Sequence, residues 1–280
     1  MRWRSLKTAA WLGWQIESNW ADPFLFAIYS VLKPLTFAGI LVVMFALATR
    51  NNFASAGFTY MYLGNAFYIY VGAVMSGMTY AVAEDRERYR TLKSVYVAPI
   101  DFRLYMIGRG FARFVTGSSA VLITIVFGVL FLHVNVPLGH VRWLLFFSTL
   151  FTGVVMLAMI GLALASTVLL MVHQSWAVGD AVAAALFLFT GAIFPLETLP
   201  RVLRPIGFAL PITYWLELLR RALVGHVAQE FPTLSSFSDL ALFAVLIVST
   251  VVFGVLALGV FHLADRTARR RGLIDRTTNY

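Results

Sequence analysis

Between Asn51 and Ala83 the chain carries no Asp, Glu, Lys or Arg, and between Phe114 and Val141 it again carries none. Runs of that length restrict the fold more than any other feature of the sequence. A helix crossing the hydrocarbon core of a bilayer needs about 20 mainly apolar residues, because lipid offers no partner to a backbone N–H or C=O. A spanning β-barrel would instead show segments of about ten residues with alternating polarity. The runs here are continuously apolar, which selects helices. With 60% hydrophobic residues over 280 positions and a mean hydropathy of +0.81, a soluble domain would have to hide more apolar surface than one core accommodates. The chain reads as an all-α integral membrane protein with a single membrane domain over residues 1–280.

Six spans are expected, at about Ala27–Ala48, Tyr60–Val82, Leu104–Leu132, Trp143–Met171, Trp176–Phe194 and Leu240–Leu263. Before them, residues 1–22 are amphipathic: Trp3, Leu6, Ala10, Trp11 and Trp14 share one helical side, while Arg4, Lys7, Gln15 and Glu17 are polar. Tryptophans with basic neighbours suit a helix lying among lipid head groups. Met1 to Trp20 lacks the apolar core of a cleavable signal peptide. Lys33-Pro34 interrupts the first span where a lysine can reach the interface. Only His173-Gln174-Ser175 separates spans four and five, and residues 264–280 form a basic tail. Six crossings put both termini on one side. Fifteen of the 22 Lys and Arg residues fall on that side, six on the other and Lys33 on neither, so that side is expected to be cytoplasmic. The formal charge of +9 is thereby accounted for by span ends and anionic lipids rather than by nucleic acid.

Two segments depart from simple spanning. The first is Glu84-Asp85-Arg86-Glu87-Arg88-Tyr89-Arg90-Thr91-Leu92-Lys93, seven charges in ten residues of a chain that is 12% charged. It reads as a cytoplasmic loop, and one that a soluble partner could grip. The second is residues 195–225, with Pro195, Pro200, Pro205 and Pro211 among Glu197, Arg201, Arg204, Glu217, Arg220 and Arg221. Repeated prolines prevent one continuous helix and the charges oppose a full crossing. Leu196, Leu199, Tyr214, Trp215 and Leu216 are too apolar for a free loop. Two short re-entrant helices, one after Pro200 and one from Pro211 to Val224, reconcile these facts. Glu217 precedes Arg220 and Arg221 by three and four residues, which allows pairing with both.

Catalytic chemistry is not visible. Absence of cysteine excludes disulfides and thiolates. No phosphate loop occurs, and Gly108-Arg109-Gly110 at a span entrance reads as a packing feature rather than a dinucleotide fingerprint. His133, His140, His173, His226 and His262 show no metal-like spacing. Asp180 reads as a helix-start residue. The middles of the spans lack the ionisable groups of a proton relay.

Thr91-Leu92 after Glu87, with Pro99 beyond, together with Thr190-Gly191-Ala192-Ile193-Phe194-Pro195-Leu196-Glu197-Thr198-Leu199-Pro200 and Leu210-Pro211-Ile212-Thr213-Tyr214 up to Arg220, resemble the signatures of the membrane permeases of type 2 ABC exporters. The resemblance covers nearly the whole chain and leans toward the antibiotic-resistance and nodulation-factor branch. Tyr89-Arg90 stand where that family often has a glycine just before the Thr-Leu pair.

The resemblance implies a transport subunit rather than an enzyme, with no cofactor of its own. ATP and Mg would sit on two separate cytoplasmic ABC ATPase subunits. A second permease copy or a related permease would complete the pore, in contact with membrane lipids, in a bacterial cytoplasmic membrane. Residues 84–99 would form a coupling helix. Glu84, Asp85, Arg86, Glu87, Arg88, Arg90 and Lys93 would offer charges to the ATPase, Leu92, Val95 and Tyr96 one docking face, and Thr91 and Pro99 the helix limits. Leu92→Asp or Glu87→Ala is then expected to uncouple transport and leave the fold intact. Phe45, Tyr62, Asn65, Tyr68, Phe187 and Phe189 are expected along the path. Phe194, Pro195, Glu197, Pro200, Pro211, Tyr214, Glu217 and Arg220 are expected at its outer gate. The substrate expected is an amphiphilic drug, lipid or glycan-like molecule. The rival class, an ion- or proton-coupled secondary carrier, predicts inverted repeats and buried ionisable chains within the spans.

Overall fold

The computed structural model describes residues 2–18, 22–49, 53, 55–98, 101–171, 177–225 and 234–273. Trp20, Arg50, Pro99, His173-Gln174-Ser175, Trp176, His226 and Arg276 lie outside these residues, as do the side chains of Trp3 and Leu6. Among the described residues all regular structure is helical: α1 (Arg2–Ser18), α2 (Pro23–Thr49), α3 (Ala56–Arg88), α4 (Leu92–Val97), α5 (Phe102–Phe131), α6 (Trp143–Leu170), α7 (Val178–Phe189), α8 (Arg204–Ala209), α9 (Pro211–Val224) and α10 (Asp239–Arg270). Five of them, α2, α3, α5, α6 and α10, are long and apolar enough to cross a membrane.

Local chemistry sets the helix starts. Ser55, Asp101 and Ser238 each accept a hydrogen bond from the backbone N–H two or three residues on, satisfying a donor that the first turn leaves free. Pro211 opens α9 at a position whose N–H no helix uses. Pro34 lies inside α2, where it removes one rung of the ladder.

α3 is the axis of the bundle. Its 33 residues extend about 50 Å at 1.5 Å per residue, and α5, α6, α7, α9 and α2 pack around it. Phe67, Val71, Val74 and Met75 of α3 meet Met156 of α6, Trp215 and Leu219 of α9 and Leu246 of α10 in the main core. The outer helices are bare on their other side: Leu47, Phe151, Val255 and Leu263 are exposed. Apolar surface of that extent is explained by lipid.

The fifth expected span is shorter than read. The helix is twelve residues long, about 18 Å, against a hydrocarbon core of about 30 Å. It stops at Phe189, five residues before Phe194, in a turn where Gly191 has φ 69°. A glycine takes that left-handed angle without a Cβ clash.

α8 and α9 are the two short helices anticipated between spans five and six. The backbone N–H of Arg142, at the start of α6, donates to Ala222 O at 2.9 Å. The Trp215 indole N–H donates to Thr149 O at 3.1 Å, about 10 Å further along α6. The first turns of α9 therefore lie inside the bundle and its last turn returns to the start of α6.

A Cβ on Gly153 of α6 would fall 1.9 Å from the Trp215 indole nitrogen, whereas Gly39 of α2 has nothing within 4 Å. Gly153→Ala is expected to destabilise by about 1–3 kcal/mol, measured as a lowered unfolding temperature in detergent. Gly39→Ala should leave that temperature unchanged or slightly raised.

Candidate functional site

The last turns of α3 hold the charged island, and the fold turns much of it inward. Residues Glu84–Arg88 form a π-turn, which re-aims successive side chains. Asp85 is fully buried and Arg86 is 4% exposed. Asp85 accepts a hydrogen bond from the Tyr105 hydroxyl at 2.7 Å and lies 3.6 Å from Arg109. Arg109 also pairs with Glu84 at 3.2 Å. Arg86 donates to Val168 O at 3.2 Å and Met171 O at 2.7 Å, capping the carbonyls at the end of α6. It also pairs with Glu87 at 3.1 Å. Glu84, Asp85 and Arg86 thus tie α3 to α5 and α6, while Glu87 pairs within α3.

α1 joins the same cluster. Ala9 and Gly13 pack on α5 at Gly108, Arg109 and Ala112, where a Cβ on Gly108 would come within 2.6 Å of Ala9 Cβ. Gly108-Arg109-Gly110 is a packing seam. Trp11 and Trp14 face outward. Ala10 is half-buried. Glu17 pairs with Arg113 at 2.7 Å, and Arg113 reaches Glu84 at 3.6 Å. Burial pushes the Glu17 carboxyl above its ordinary range, against the pull of Arg113.

Arg90 turns the chain into α4 with φ 53°. Tyr89 N–H to Glu84 O and Thr91 N–H to Asp85 O, both 2.8 Å, hold the corner. The face of α4 expected to meet a partner is covered by the chain itself. Leu92 is 2% exposed and Val95 is buried, both in a core with Val82, Phe102, Met106, Val168 and Phe261. Tyr96 stacks on Phe102 at 4.7 Å between ring centres and donates to Asp265 of α10 at 2.9 Å, and Arg269 lies 4.7 Å over its ring. Burial and the Asp265 carboxylate push the Tyr96 phenol up, so it stays a neutral donor. A charge at Leu92 would disturb folding directly, contrary to the expectation of an intact fold. Arg88, Arg90, Thr91, Lys93, Ser94 and Val97, the last 79% exposed, face out. Pro99 lies outside the described residues.

The six residues expected along a path fall into separate groups. Phe45 packs near Phe58, which in turn meets Tyr62, and the Tyr62 hydroxyl donates to Thr124 O of α5 at 2.6 Å. Tyr68 donates to Ala183 O of α7 at 2.6 Å and packs on Phe187 at 4.7 Å. Asn65 is buried within α3, and Phe45, Phe187 and Phe189 are half-buried. Asp180 sits in the first turn of α7, as expected, and accepts from the Tyr80 hydroxyl.

At the opposite end Arg220 is a buried clasp. It is 2% exposed and donates to Tyr60 O at 3.1 Å, Gly191 O at 2.8 Å and Ala192 O at 2.9 Å, with its guanidinium 3.6 Å over the Tyr60 ring. Glu217 does not pair with it. The i+4 neighbour Arg221 takes Glu217 at 2.8 Å and Asp239 at 3.1 Å, and Arg142 also reaches Asp239. Arg204 donates to Leu199 O and Glu197 O, folding the Pro195–Pro200 turn over α8. Tyr214 donates to Phe208 O at 2.7 Å. Phe194 and Pro195 are half-buried, Pro200 is exposed and Pro211 is buried.

Sequence reasoning missed Glu17–Arg113, Tyr105–Asp85 and Tyr96–Asp265. Only the placement of Tyr105 four residues before Arg109, on one helical face, was a signal.

Two tests follow from these contacts. Glu17→Arg should loosen α1, seen as faster protease cleavage near residue 18, and Arg113→Glu in the same chain should restore protection with a coupling of about 0.5–3 kcal/mol. Arg220→Lys should lower stability by about 2–4 kcal/mol, read by thermal unfolding, because an ammonium cannot span three carbonyls and leaves buried acceptors unpaired.

No curated protein matches the chain. The family model described as ABC-2 type transporter matches residues 6–224, from α1 through the end of α9, so both the charged corner and the Arg220 clasp fall inside it. The chain belongs to the ABC-2 type transporter family, as a multi-pass membrane protein.

Proposed function

We propose that this chain is the membrane-spanning subunit of an ATP-driven exporter, coupled at the α3–α4 corner to a separate ATPase that carries ATP and Mg. The observation that carries the reading is the two-sided seating of α4. Leu92, Val95 and Tyr96 fix it to α5, α6 and α10, while the side chains of Lys93, Ser94 and Val97 are solvent-exposed. Force applied to the open side therefore reaches several spanning helices at once, which a solvated topogenic loop has no need to do. Alternating access then follows from rigid shifts of packed helices.

In this reading the corner and both termini are cytoplasmic, the membrane is a bacterial inner membrane, and two ATPase subunits serve two permease copies. The path runs between the copies. Phe45, Phe187 and Phe189, half-exposed, can reach it, whereas Tyr62, Asn65 and Tyr68 support the wall from behind. The turn Phe194–Pro200 with α8 and α9 is the outer gate, braced by Arg220. An aromatic, largely uncharged wall suits an amphiphilic drug, lipid or glycan-like cargo. Buried ionisable side chains gather at the two ends of the helices and are paired there, which does not favour a proton-coupled carrier.

Val97→Asp is the direct test. The side chain is on the surface, so the unfolding temperature should hold, while stimulation of the co-purified ATPase and export of a fluorescent amphiphile should fall together. Unchanged stimulation would remove α4 as the coupling element.

A further inference from the structure

The island is nearly balanced in sequence, with three carboxylates against four cations from Glu84 to Lys93. Folding separates the two signs. Glu84 is held by Arg109 and Arg113, Asp85 by Arg109 and Tyr105, and Glu87 by Arg86. Arg88, Arg90 and Lys93 are exposed. Among the described residues neither Arg88 nor Arg90 meets a carboxylate, and the Arg88 guanidinium lies 5.5 Å over the ring of its own neighbour Tyr89. Asp85 is buried and Glu84 and Glu87 are partly covered and paired, so the exposed side chains of the corner are predominantly positive.

Arg90 adds an independent sign of use. Its φ of 53° lies in the left-handed region, which costs any residue with a Cβ free energy that glycine avoids. Both flanking N–H groups are bonded to the end of α3, so the corner fixes this angle whatever side chain stands there. Glycine would build the same corner without strain. An arginine standing at a strained backbone position points to a role for its side chain.

We propose that this corner is a cationic docking face for an acidic surface of the ATPase partner, with Arg90 as its fixed point and Arg88 and Lys93 beside it. The proposal rests on the coupling reading above and adds the charge sign and the anchor residue. Guanidinium groups pair with carboxylates in two-pronged geometry, and exposed Val97 and Ser94 give the same face a small apolar and neutral centre. Attraction to anionic lipid needs only nearby charge and gains nothing from one arginine fixed at a strained angle. A shaped protein surface does gain from it.

The test uses the full chain in nanodiscs with its co-purified ATPase subunit, measuring affinity against salt concentration. Arg90→Gly should unfold at or above the wild-type temperature, yet bind the ATPase at least about fivefold more weakly with a shallower salt dependence. Arg90→Lys should retain most of the affinity. Arg88→Glu, away from the strained residue, should weaken docking in the same direction. Wild-type affinity and salt dependence in Arg90→Gly and Arg88→Glu would overturn the proposal and leave the coupling reading standing. Loss of binding to phosphatidylglycerol vesicles with unchanged ATPase affinity would overturn it in favour of lipid head groups. A wild-type chain that binds no ATPase at all would sink the coupling reading itself, before any substitution is made.

Discussion

Charge inside a lipid-embedded bundle has no water to fall back on, and the whole arrangement depends on how α3 meets that constraint at its two ends. At one end Arg220 reaches across to Tyr60, in the second turn of α3, and closes the turn after α7 on top of it. At the other, Arg86 and Arg109 draw the last turns of α3 onto α6 and α5. Between these two points the neighbours of the helix are mostly apolar, and its tyrosine hydroxyls find acceptors on α5 and α7. The guanidinium suits both tasks because it is always charged and offers five donors in a fixed plane. Its stem packs as hydrocarbon while its head binds carbonyls.

The helical class and the positions of the spans were legible because charge-free apolar runs have one physical outcome in lipid. The prolines of residues 195–225 likewise announced two short helices rather than one, and α8 and α9 follow from them. The length of span five was not legible. A run of apolar residues from Trp176 to Phe194 looks like a crossing, and only the turn at Gly191, fixed by Arg220 from a helix thirty residues away, ends it early.

The site shows the same division. That residues 84–99 would be a distinct element at a helix end could be read from charge density, yet which side faces out could not. Leu92, Val95 and Tyr96 form an apolar stripe whether the cover is a partner or the chain's own α5, α6 and α10. Periodicity gives the stripe and is silent on its partner. Glu217 posed a similar choice: spacing allowed both Arg220 and Arg221, and the decision came from three backbone carbonyls that no pattern of side chains announces. Tyr96 and Asp265 are far apart in the chain and on separate elements, so their meeting is a product of tertiary packing alone.

Arg86 and Arg220 hold the ends of α3 chiefly through main-chain oxygens of Val168, Met171, Tyr60, Gly191 and Ala192. A main-chain acceptor stays the same when the residue that carries it is exchanged. These hydrogen bonds in themselves place little demand on the side chains of the residues that accept them, although Tyr60 also lends its ring to Arg220 and Gly191 its left-handed turn. Paired substitutions, the usual trace of two positions in touch, have little reason to arise across them. The exposed position 171 can change while Arg86 keeps its bond, whereas Val168 and Ala192 are held by packing and Gly191 by its backbone angle, so a search for co-varying positions would pass over the Arg86–Met171 joint.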